Sequence, residues 1–176
     1  TMVVVNEAGD LGLDGRLVER YGLPVKELSN GCICCSLAVD LIGLFRNLLN
    51  EPMPPARVLM EASGLANPVK LRKIVNDFRD SLGIVKTIVL LDTGVWEARE
   101  AMGSFFNTQL AVADLLVLNK IDLYSEERIK AMIGEIKSEI PGTHLYLTKH
   151  GQVDPDEFWT APKFSKAIPF IMDDMS

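Results

Sequence analysis

Leu115-Leu116-Val117-Leu118-Asn119-Lys120-Ile121-Asp122 is a short apolar run that stops abruptly at a mostly polar turn. A continuous apolar stretch of this length, bounded by turn chemistry, reads as a strand buried on both faces. Upstream, Val85–Leu91 reads as a second buried strand, and Val95–Ala113 between them as one or two helices. Downstream, Ile129, Met132, Ile133, Ile136 and Ile140 recur at helical spacing. Ser125 stands as the cap of that helix, Glu126 and Glu127 fill its first turn, and Pro141-Gly142 end it. Leu145–Leu147 reads as a last strand.

The first half repeats the alternation. Met2–Val5 and Arg57–Met60 read as strands, and Val25–Leu28 as a short one. Leu37, Leu41, Leu44, Phe45 and Leu48 mark a helix closed by Pro52, Pro54 and Pro55. Asn67-Pro68 opens another, with Pro at its favoured first position. Glu7–Gly15, with three glycines and three acidic residues, reads as a loop. Strand–helix alternation implies an α/β fold, a mainly parallel sheet with helices on both faces. Ligands in such sheets sit at the carboxyl ends of the strands, where every motif below falls.

Bulk properties exclude several classes. The 176 residues suit one domain, and a hydrophobic fraction of 48% argues for a folded core. A net charge of −6 disfavours nucleic acid as a partner, because phosphate neutralisation needs excess Lys and Arg. No apolar run approaches the ~18 residues of a membrane span, and Thr1–Val5 lacks the features of a signal peptide. The three cysteines lie within four positions, which is no disulfide framework and fits a reducing, cytoplasmic setting.

Asn119-Lys120-Ile121-Asp122 has the Asn-Lys-x-Asp pattern of GTPases. Guanine offers two donors on one edge, and a carboxylate accepts both in a charge-assisted pair. Adenine presents an acceptor there, so a carboxylate rejects it by roughly 10⁴-fold. The Lys120 stem lies along the base plane in this reading, and Asn119 braces the neighbouring loop. Thr148-Lys149-His150-Gly151 follows a strand where GTPases place a second base-contacting loop. Glu61-Ala62-Ser63-Gly64 also follows a strand. An acidic residue there holds Mg²⁺, for Glu indirectly, and the Gly64 amide meets the terminal phosphate. The plainer alternative is a helix-start turn capped by Ser63.

In Gly31-Cys32-Ile33-Cys34-Cys35, Cys32 and Cys34 share one side of an extended stretch, and a turn brings in Cys35. Thiolates favour zinc and other soft ions, and three of them leave one tetrahedral position open. Buried inert cysteine and a redox dithiol are the alternatives.

Together these motifs resemble the CobW family of GTP-dependent metallochaperones. Asn6–Asp14 is similar to its Asn-Glu-Phe-Gly-Glu-x-Gly-x-Asp loop, with Ala8 and Asp10 as mild departures. Glu27–Leu37 is close to its Cys-x-Cys-Cys signature, and Glu61–Pro68 resembles its Glu-x-Ser-Gly-Leu-Ala-x-Pro turn. The resemblance implies a P-loop GTPase-like fold of the SIMIBI type, binding of GTP with Mg²⁺, slow hydrolysis, and delivery of Zn²⁺ or Co²⁺ to a client metalloprotein. It makes Cys32, Cys34 and Cys35 metal ligands and lets Glu7 couple the metal to the nucleotide. Residues 1–153 are then the nucleotide-binding domain and 154–176 a tail or linker, with a homodimer among the admissible assemblies. The family's opening strand and its Gly-x-x-x-x-Gly-Lys-Thr loop have no counterpart here. That loop carries most of the phosphate binding, so the chain is expected to be incomplete at its N-terminus, weak in GTPase activity, and left with unpaired sheet edges. A non-enzymatic metal-binding module and a nickel-insertion GTPase of hydrogenase or urease maturation are the competing readings. The latter is disfavoured because His144 and His150 stand far from the cysteines.

Overall fold

The computed structural model describes residues 1–5, 22, 24–27, 36–62 and 66–154. The chain divides into two compact units, Thr1–Gly83 and Ile84–Ser176.

In the first unit, β1 (Met2–Val5) is central, with β2 (Val25–Glu27) on one side and β3 (Val58–Glu61) on the other, both parallel to it. Val4 and Val5 are buried but Met2 and Val3 only partly so. Helix α1 (Ser36–Leu49) supplies Leu41, Leu44, Phe45 and Leu48 to the core, as its spacing predicts. Helix α2 (Pro68–Asp77) begins where Asn67 accepts hydrogen bonds from the Val69 and Lys70 amides at 3.0 and 3.1 Å. Those are two of the amides a helix start leaves unpartnered, and Pro68 has none to offer. A single turn, α3 (Arg79–Leu82), follows. The Phe45 and Phe78 rings meet in tilted contact at 5.3 Å.

The second unit places β5 (Leu115–Asn119) between β4 (Ile88–Asp92) and β6 (His144–Leu147), again all parallel. Leu115 to Leu118 are all buried, as expected of a central strand. Strand β4 departs from its expected Val85–Leu91 span and continuous burial. The side chain of Asp114 holds the Thr87 amide at 2.7 Å, and the Asp114 amide donates to Thr87 O at 2.9 Å. The ladder therefore opens only after Thr87. Leu91 is buried, whereas Ile88 and Leu90 remain exposed.

The stretch 95–113, read as one or two helices, is two: α4 (Thr93–Glu97) and α5 (Arg99–Ala111), the latter kinked at Gly103, whose φ of 58° leaves the helical region. Helix α6 (Glu126–Glu139) is capped by Ser125, which accepts from the Arg128 amide at 3.3 Å. It buries Ile129, Met132 and Ile136.

The parallel α/β architecture thus holds, with the strands divided between two three-stranded sheets rather than one. Among the described residues β3 is paired with β1 and β4 with β5. No helix among the described residues is long and apolar enough to cross a membrane.

Trp96 anchors the second unit. It is fully buried, with its ring against Phe106 at 6.0 Å. Its indole N–H donates to Glu135 at 2.9 Å, and the Arg99 guanidinium lies 4.3 Å from its ring centre. Arg128 bridges Glu97 and Glu135, while Arg99 pairs with Glu135 and Glu139, so α4 and α5 are tied to α6. The Arg128 guanidinium beside it holds the Glu135 carboxyl below its usual range. Trp96→Ala removes both the ring and the donor, and should cost about 3–5 kcal/mol, measured by urea unfolding. Trp96→Phe, which keeps most of the apolar volume, should cost markedly less. Equal losses would mean the hydrogen bond, not the packing, dominates.

Candidate functional site

The second unit brings one group of candidates together. Strands β4, β5 and β6 run parallel, so their carboxyl ends share a rim. Asp92 stands opposite Asn119 in the ladder. Leu118 stands opposite Leu147, which places Thr148 beside Asn119. Beyond Asn119 the chain turns sharply. Lys120 takes a left-handed conformation, φ 61° and ψ 34°, and leads into a 3-10 turn at Ile121–Leu123. For a residue with a Cβ this costs about 1–2 kcal/mol, so neighbouring contacts must hold it there.

Those contacts come from two sides. From the loop after β6, the Thr148 amide donates to Leu118 O at 2.9 Å, and the Ile121 amide donates to Thr148 O at 3.4 Å. The Gly151 amide donates to the Asn119 side-chain oxygen at 3.1 Å. His150 and Gly151 both have positive φ, 54° and 66°, which curls that amide back toward Asn119. From the end of β4, the Thr93 hydroxyl donates to Lys120 O at 3.2 Å, and the Asp92 carboxylate pairs with the Lys120 ammonium. This pair, chiefly its hydrogen bond, holds the Asp92 carboxyl below its usual range and pushes the Lys120 ammonium up.

What remains open is Asp122. It is exposed, and no hydrogen bond or ion pair engages it among the described residues. Thr148 opens the loop read as a second base-contacting one. It is buried to 3% exposure and its hydroxyl donates to Gln152 O, so it holds the loop and leaves Lys149 and His150 outside.

In the first unit, Glu61 is the last residue of β3, exposed, and level with Val5 and Glu27 at the carboxyl rim. Gly64, Glu7, Cys32, Cys34 and Cys35 lie outside the described residues. Their attachment points do not. Glu7 is two residues beyond Val5 and Cys32 five beyond Glu27, and those two strand ends are parallel neighbours. Helix α1 starts directly after Cys35. Among the described residues no three His, Cys, Asp or Glu gather as a metal site. His144 lies on β6 and His150 is exposed in the following turn.

Comparison with known proteins bears on these motifs. The family model for the CobW/HypB/UreG nucleotide-binding domain matches residues 1–145. The chain belongs to this family. CobW-type relatives agree with that placement: a zinc chaperone CobW from a Sinorhizobium species is 31% identical over 86% of this chain and 51% of its own. The zinc chaperone YeiR of Escherichia coli is 32% identical over 86% of this chain and 47% of its own. The chain thus spans about half the length of the curated relatives it matches. Among solved structures, HypB from Helicobacter pylori, in complex with nickel, is similar at a TM-score of 0.52 over 84% of this chain and 65% of its own. At 16% identity that likeness speaks to the fold alone, an α/β arrangement of parallel strands and helices.

Asp92 and Thr93 lie outside the sequence motifs; the available signal was an acidic-Thr-Gly step at the end of an apolar strand.

Proposed function

We propose that this domain binds a guanine nucleotide at the carboxyl rim of the β4–β5–β6 sheet, and that it passes zinc, rather than cobalt, to a client metalloprotein. The observation that carries the nucleotide half is the unengaged Asp122 carboxylate, set on a turn that Asn119 and Thr148 hold rigid. Such a carboxylate accepts the two donors on the guanine edge. Lys120 lies along the base, and Thr148 anchors the loop that closes the pocket. Glu61, through water, and Gly64 supply the Mg²⁺ and terminal-phosphate contacts on the turn after β3, and GTP hydrolysis belongs to the whole protein. Cys32, Cys34 and Cys35 hold the zinc as cargo, with Glu7 linking it to the nucleotide. The adjacent ends of β1 and β2 support that grouping, and relatives named zinc chaperones favour zinc. Residues 1–153 act as the nucleotide-binding domain, and 154–176 connect it onward.

Titration of the chain with GDP and with ADP, each with Mg²⁺, tests the reading. Discrimination of roughly 10⁴-fold in favour of GDP is expected. Equal affinities would overturn it.

A further inference from the structure

We infer that Asp92 and Thr93 form a two-point clamp that sets Lys120 in place for the base, which makes them positioning residues for nucleotide recognition. The inference rests on the guanine-site reading above and adds to it residues outside the Asn-Lys-x-Asp motif.

The clamp grips both ends of Lys120. Thr93, fully buried, donates its hydroxyl to the Lys120 carbonyl, and Asp92 takes the ammonium. Asp92 is itself fixed. It pairs in register with Asn119, and its Oδ1 accepts the Gly94 amide at 2.7 Å. Gly94 permits that close approach, since a Cβ there would stand 3.1 Å from Asp92 Oδ1.

A lysine stem has several rotatable bonds, and ordering it during binding costs affinity. An ion pair formed beforehand removes that cost. Although its ammonium is paired, the Lys120 side chain stays 54% exposed, so its length remains available for an aromatic ring to lie against. The left-handed Lys120 backbone aims the stem, and the Thr93 hydroxyl holds the carbonyl that this conformation turns toward β4.

Asp92→Asn keeps the oxygen that accepts from Gly94 but loses the charge, so the fold is retained. Two readouts on the full chain test the clamp. The first, independent of nucleotide, is the rate at which acetic anhydride modifies Lys120, followed by peptide mass spectrometry. Loss of the partner should raise it about tenfold, and Asp92→Glu should restore much of the protection. The second is GDP affinity, expected to fall about tenfold in Asp92→Asn and in Thr93→Val, with partial recovery in Asp92→Glu. Unchanged Lys120 reactivity and unchanged GDP affinity in Asp92→Asn would overturn the clamp while leaving the guanine site standing. A protected Lys120 in a wild-type chain that shows no preference for GDP over ADP would overturn the guanine reading and reduce the clamp to a structural contact.

Discussion

Asp122→Asn is expected to convert a guanine-selective site into one that favours xanthine. Guanine carries a ring N–H and an exocyclic amine on the edge that meets Asp122, and a carboxylate accepts from both. Xanthine keeps the ring N–H but carries a carbonyl in place of the amine. Against wild type that carbonyl meets a negatively charged acceptor and is repelled. An Asn side chain accepts from the ring N–H through its oxygen and donates to the carbonyl through its amide. The GDP-to-XDP preference should therefore reverse, with the affinity ratio moving by roughly 10⁴-fold. The fold should be undisturbed, because Asp122 is exposed and engages no other described group. ADP serves as the control and should bind weakly to both forms. Competition titration with the three diphosphates measures all of this at once. An unaltered GDP-to-XDP ratio would remove Asp122 from the base contact.

The second large effect is expected at the cysteines. A structural zinc site yields about 10–16 kcal/mol of binding free energy from its whole ligand set. Each thiolate thus accounts for several kcal/mol. Converting Cys34 and Cys35 to Ser together removes two of the three sulfurs, and a hydroxyl is both a harder ligand and far less acidic. Zinc affinity should fall on the order of 10³-fold or more, read by competition against a chromophoric chelator. Cobalt gives a spectroscopic check, because loss of sulfur ligands removes the thiolate-to-metal charge-transfer absorption. Unchanged zinc affinity in the double variant would exclude these thiols as the site. Urea unfolding of the metal-free double variant is the control for folding, and should match that of the metal-free wild type.

The legible parts of this protein were those written in local chemistry. The Leu115–Leu118 run declared a central strand because four consecutive buried positions leave no room for alternation. Asn67-Pro68 and Ser125 declared helix starts, because capping joins side chain and amide within three residues. The Asn-Lys-x-Asp and Cys-x-Cys-Cys patterns pointed to the family that the comparison assigns.

Other features depended on partners distant in sequence. The late start of β4 follows from Asp114 gripping Thr87, 27 residues away. The hold on Asn119 has a similar origin, since its side-chain oxygen accepts from the Gly151 amide, 32 residues away. Local pattern thus determined the strands, the caps and the residue types suited to a guanine base and a soft metal. Only the tertiary structure decided which of those side chains were spent on holding the turn and which, as at Asp122, were left open. A parallel ladder aligns residues by register, so Asp92 and Asn119, far apart in the chain, become neighbours at one rim.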